Sequence, residues 1–67
     1  MNIHEKFGNR LKELRLKKGL SQEKLANLAE IDRTYLPGIE KGERNISLNI
    51  VEKLARALEV EVHDFFN

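Results

Sequence analysis

The sequence predicts an all-α fold, a compact bundle of five short helices forming a single domain over residues 1–67. Three observations carry that expectation. Apolar residues recur three and four positions apart, the spacing of one helix face. Ser, Asp and Gly, which start and stop helices, stand between the apolar stripes. Nothing in the chain points to strands, repeats or low complexity.

Ile3, Phe7, Leu11 and Leu14 share one face of a first helix running from residue 3 to about 18, which Gly19 stops. Ser21 is the expected N-cap of a second helix reaching Ala29. Asp32 is placed to cap a third, from Arg33 to about Lys41, ended by Gly42. The polar run Glu43 to Ser47 reads as a loop, after which Ile50, Val51, Leu54, Ala55 and Leu58 mark a fourth helix capped by Ser47 or Asn49. Val62, Phe65 and Phe66 define a fifth, too short to hold its shape without packing on something.

Composition narrows the function classes. A chain of 67 residues buries only about 60% of its unfolded surface, which disfavours a large catalytic cleft. With no cysteine there is neither a disulfide framework nor a thiolate zinc site, so stability must come from helix packing or association. His4 and His63 sit at opposite ends, and no Ser, His and Asp grouping or metal-ligand spacing appears; neither an enzyme, a metal nor a cofactor is expected. No apolar run approaches the roughly 18 residues of a membrane span and no signal-peptide pattern opens the chain, so a cytoplasmic location and no membrane partner are expected. The net charge of +1 is unevenly placed: residues 1–24 hold seven Lys and Arg against three Glu, and residues 25–67 five against eight acids. The basic part covers the first helix and the start of the second.

From Gln22, the residues Leu25, Ala26, Ala29, Ile31, Leu36 and Ile39 fall where two short helices crossing at a tight turn need apolar or small side chains. Ala26 lets the second of them approach the first. With Gly19-Leu20-Ser21-Gln22 leading into Leu25-Ala26, then Arg33-Thr34-Tyr35-Leu36, Ile39-Glu40, Gly42 and Arg44-Asn45, the chain resembles the Cro/C1-type helix-turn-helix repressors, a lambda-repressor-like DNA-binding domain with its motif at about 21–41. The run Asp32 to Leu36, followed by Gly38-Ile39-Glu40 and Arg44-Asn45, looks most like the controller proteins of restriction-modification systems. Phage-type repressors and antitoxins share much of the pattern, and a protein-interaction module that no longer binds DNA is the reading from another class.

The resemblance implies a double-stranded DNA operator as partner. It gives Gln22 a phosphate contact, Arg33 and Thr34 the base-reading positions, and Arg44 and Asn45 further phosphate or base contacts. Chemistry agrees, since Arg can donate twice to guanine O6 and N7 and Thr can bond a base or meet a thymine methyl. Tyr35 either contacts the DNA backbone or covers the core edge. Arg15 and Glu40 match positions that form a partly buried ion pair in relatives.

Two positions depart from the pattern. Glu30 stands where such proteins carry Gly, at a corner that tends to need positive φ. Pro37 stands where a small polar residue is usual; lacking an amide to bond the Arg33 carbonyl, it is expected to kink or unwind the third helix, push Leu36 from helical angles and alter operator binding.

One small domain reads few base pairs, and symmetry supplies the rest by setting two recognition helices about 34 Å apart, so a homodimer is implied. Its surface is expected from Leu54, Leu58, Val62, Phe65 and Phe66, unless Phe65 and Phe66 plug the monomer instead. If the output is activation, RNA polymerase is a further partner.

Overall fold

Side-chain caps set where the helices begin. In the computed structural model, which describes residues 2–67, α1 spans Ile3–Lys17, α2 Gln22–Ala29, α3 Leu36–Glu40 and α4 Leu48–Leu58, with 3-10 turns at Arg33–Tyr35 and Val62–Phe66. Asn2 Oδ1 accepts the Glu5 amide at 2.8 Å while the Glu5 carboxylate accepts the Asn2 amide at 3.2 Å, a reciprocal capping box. Ser21 Oγ accepts the Lys24 amide at 3.0 Å, and Ser47 Oγ that of Ile50 at 3.2 Å, which makes Ser47 rather than Asn49 the cap of α4. The described residues therefore hold four α-helices, not the five expected. Val62–Phe66 winds as a 3-10 turn, opened by the Asp64 amide donating to the Glu61 carbonyl at 2.9 Å.

The ends are equally local in origin. Gly19, Glu30, Gly42 and Glu59 all have positive φ, between 59° and 77°. After each of them the next amide reaches back five residues, as Ile31 does to the Ala26 carbonyl at 3.0 Å and Val60 to that of Ala55 at 3.0 Å. At Gly19 and Gly42 this conformation is free of a Cβ clash, whereas at Glu30 and Glu59 it is not. Glu30→Gly is accordingly expected to stabilise the domain by about 1 kcal/mol, raising its melting temperature by roughly 4–8 °C in a circular-dichroism melt. A lower melting temperature would contradict the strain at this corner.

One core joins the four α-helices and the closing 3-10 turn. Phe7, Leu11 and Leu14 of α1 meet Leu25, Ala26 and Ala29 of α2, Leu36 and Ile39 of α3, Val51, Leu54, Ala55 and Leu58 of α4, and Phe65. The α1 helix packs on α3 and the closing 3-10 turn, and α2 packs on α4. Gly8 sets the first of these distances: a Cβ there would stand 2.5 Å from the Glu40 carbonyl oxygen and 2.8 Å from its carbon. Glycine weakens a helix interior, so its presence in α1 reflects this backbone approach. Ile3, expected on the core face, is exposed instead, at the first residue of α1.

Pro37 is accommodated without the expected distortion of Leu36, whose angles are helical (φ −61°, ψ −45°). The chain enters α3 through the tighter 3-10 turn, so the Arg33 carbonyl takes the amide of Leu36 rather than that of residue 37. Pro37 then lies in the first turn of α3, where helix amides have no intrahelical acceptor to lose.

The expected dimer surface needs a larger correction. Leu54, Leu58 and Phe65 are completely buried within the single chain and have nothing to offer a second copy. The α2 helix covers the Leu54 and Leu58 stripe, and Phe65 inserts against Phe7 with ring centroids 4.7 Å apart. Val62 and Phe66 remain partly exposed, the Phe66 ring 5.8 Å from that of Phe7.

Candidate nucleic-acid interface

Asp32 organises the leading end of the recognition segment. It is extended (φ −67°, ψ 126°), and its Oδ1 accepts both the Thr34 amide at 2.9 Å and the Thr34 hydroxyl at 2.8 Å. These two hydrogen bonds, the backbone one first, hold the Asp32 carboxyl below the usual carboxylate range. The second of them uses the Thr34 hydroxyl proton, so that the exposed Thr34 side chain offers an acceptor oxygen and a methyl group.

The Arg33 side chain is 67% exposed and pairs through Nη1 with the Glu23 carboxylate on α2. Sequence reading missed this pair, because the two residues stand ten apart and meet only once the turn has folded. Tyr35 is exposed, and the Arg44 guanidinium lies over its ring at 4.9 Å from the centroid. The ring thus serves Arg44 as a platform, a cation-π contact of the kind that orders a long side chain.

Thr34, Gly38, Glu43, Arg44 and Asn45 line one concave surface, and Tyr35 continues it past Arg44 and Asn45. Gly38 matters for access, since a Cβ there would stand 3.1 Å from the Arg44 side chain. Five of the six residues expected at DNA, Arg33, Thr34, Tyr35, Arg44 and Asn45, are exposed, and the last four line these adjoining depressions.

Gln22 is placed differently. It is half-buried, and its Nε2 donates to Glu40 Oε1 at 3.0 Å. Glu40 in turn accepts Arg15 Nε at 2.6 Å and Nη2 at 3.1 Å, and Arg15 Nη1 donates to the Leu20 carbonyl at 2.7 Å. Arg15 and Glu40 are both buried, and among the described residues no buried side-chain nitrogen or oxygen lacks a partner. This network ties α1, the start of α2 and the end of α3 into one rigid support. Lys12 and Lys41 flank Gln22 in a shallow depression, two cations that reading by motif did not single out. The excess of positive charge in residues 1–24 was the available signal for Lys12.

Among the described residues no cluster of His, Asp or Glu could hold a metal ion, and no helix is long and apolar enough to cross a membrane.

Comparison with known proteins agrees with this arrangement. A family model described as "Helix-turn-helix" matches residues 11–65. The control protein C.BamHI of Bacillus amyloliquefaciens is 43% identical over 67 residues, covering 98% of this chain and 83% of its own. The crystal structure of the restriction-modification controller protein C.AhdI from Aeromonas hydrophila superposes with a TM-score of 0.90 at 55% identity, over 92% of this chain and 94% of that one. The structure of C.Esp1396I bound to a 25 base pair operator site gives a TM-score of 0.88 at 38% identity, over 98% and 87% of the two chains. With its capped turn, its buried Arg15–Glu40 tie and its exposed Arg33 and Thr34, the chain belongs to the helix-turn-helix family and, within it, to the control proteins of restriction-modification systems.

Proposed function

We propose that this chain is a sequence-specific transcriptional regulator of a restriction-modification system, acting in the cytoplasm as a homodimer on a double-stranded DNA operator. The observation that carries this reading is the leading end of the recognition segment, where Asp32 fixes the turn and Arg33 and Thr34 project into solvent. Arg33 reads a guanine edge. Thr34, its proton already given to Asp32, reads by accepting a hydrogen bond or by its methyl against thymine. Arg44, ordered on Tyr35, and Asn45 reinforce this from the following loop. Gln22, beside Lys12 and Lys41, sets the position of the domain on the phosphates. The work is binding alone, and the protein is a regulator rather than an enzyme.

Exposed apolar residues support the dimer. Ile3, Leu48 and Phe66 line one groove with Phe7, Ile39, Ile46 and Val51, bordered by His4 and Arg44, and Leu48 is 86% exposed. So much apolar surface in one place on so small a domain fits a face that a second copy covers.

Selection of duplexes from a random pool, followed by anisotropy titration of the selected duplex, tests the proposal. The expected site has two related halves one helical turn or a multiple apart, about 10–10.5 base pairs centre to centre. With 6–10 phosphate contacts per dimer, affinity is expected to fall about 10³- to 10⁵-fold between 50 and 200 mM salt. Failure to enrich any duplex, or binding indifferent to salt, would overturn it.

A further inference from the structure

The pairing of Glu23 with Arg33 has a consequence for what Arg33 can recognise. A carboxylate is an unexpected neighbour for a side chain that meets a polyanion, and this pair contributes little to folding, because both partners are well over half exposed. Glu23 also sits in the first turn of α2, where its charge suits the helix dipole, but that role is indifferent to where Arg33 points.

The guanidinium has five N–H donors, and Glu23 engages Nη1. The remaining donors keep their directional fork, while the positive charge behind them is offset by the carboxylate. Phosphate, whose attraction to arginine is chiefly Coulombic, gains little from such a pair and meets the Glu23 charge as well. A guanine edge is neutral, presents two acceptors at fork spacing, and loses much less. Asp32, the other carboxylate beside Arg33, has Oδ1 committed to Thr34 and to the turn.

The geometry points to Glu23 as a positioning residue for specificity, one that holds Arg33 for a base edge and disfavours its capture by phosphate. This rests on the DNA-reading role of Arg33 proposed above. Glu23 lowers affinity for arbitrary DNA and so widens the gap between operator and background.

The test compares wild type, Glu23→Gln, Arg33→Ala and the double variant on two probes: the duplex selected by wild type, and a shuffled duplex of the same length and composition. Glu23→Gln is expected to bind the shuffled duplex several-fold more tightly, and its ratio of selected to shuffled affinity is expected to fall at least fivefold. Its logarithmic salt slope on the shuffled duplex should steepen by about 0.9 per subunit, one added phosphate contact. In the Arg33→Ala background the same change should leave the ratio unaltered, whereas an effect of Glu23 that does not act through Arg33 would be the same in both backgrounds. A wild type that discriminates while Glu23→Gln keeps its ratio within twofold overturns this inference alone. An Arg33→Ala variant that discriminates between the two probes like wild type overturns the DNA-reading role of Arg33 and this inference with it.

Discussion

Glu40→Ala is expected to leave the domain largely unfolded near physiological temperature. The Glu40 carboxylate takes three hydrogen bonds, two from Arg15 and one from Gln22, and both Arg15 and Glu40 are buried. Its removal strands a buried guanidinium with one remaining partner, the Leu20 carbonyl. Orphaning a buried charge in this way costs about 3 to 5 kcal/mol. A domain of this size has a total stability on the order of 3 to 10 kcal/mol, so the loss is comparable with the whole. A thermal melt should drop by roughly 15 °C or more, at about 4–8 °C per kcal/mol. The double variant Arg15→Met, Glu40→Leu should recover most of the loss, because a well-packed apolar pair also satisfies the site. A single variant melting within a few degrees of wild type would mean that water reaches Arg15 and that the tie between α1 and α3 is not buried in solution.

The elements set by neighbouring residues were the ones legible before folding. Ser21 and Asp32 are followed by amides that need an acceptor, and Gly19 and Gly42 by amides that need to turn back; both are properties of four or five consecutive residues. The Arg15–Glu40 tie came from the resemblance, since its partners lie 25 residues apart. What stayed hidden depended on three-dimensional placement. The stripe of Leu54 and Leu58 announces an apolar face, but its period does not say whether α2 or a second molecule covers it. Pro37 argued for a distorted helix only while its neighbour was assumed to be α-helical from Arg33 onward. A 3-10 entry changes which amide the Arg33 carbonyl needs, and the conflict disappears.

These errors have a common cause. A rule of local chemistry was right each time, whereas the partner assigned to the group was not. Buried leucines need cover, and a proline cannot donate. The fold supplied α2 and the Leu36 amide respectively. At the interface the same division holds, with residue types readable from the pattern and Glu23 revealed only by proximity.

Arg33→Ala should separate recognition from folding more sharply than any other change. The side chain is exposed and its one ion pair is a surface contact, so stability is expected to move by no more than about 1 kcal/mol. On the operator, loss of a bidentate guanine contact costs about 1 to 3 kcal/mol at each half-site. A dimer uses the residue twice, which gives a loss of about 2 to 6 kcal/mol, or roughly 30-fold to more than 10⁴-fold in Kd. Binding to a shuffled duplex should change far less, because the proposed phosphate contacts of Lys12, Lys41 and Arg44 do not depend on Arg33. Anisotropy titrations on both duplexes, beside a melt of the variant, give the three numbers required. If operator affinity stayed within threefold of wild type while the fold was intact, the segment from Asp32 to Tyr35 would not be the reading head, and the concave wall formed by Arg44 and Asn45 would have to take its place.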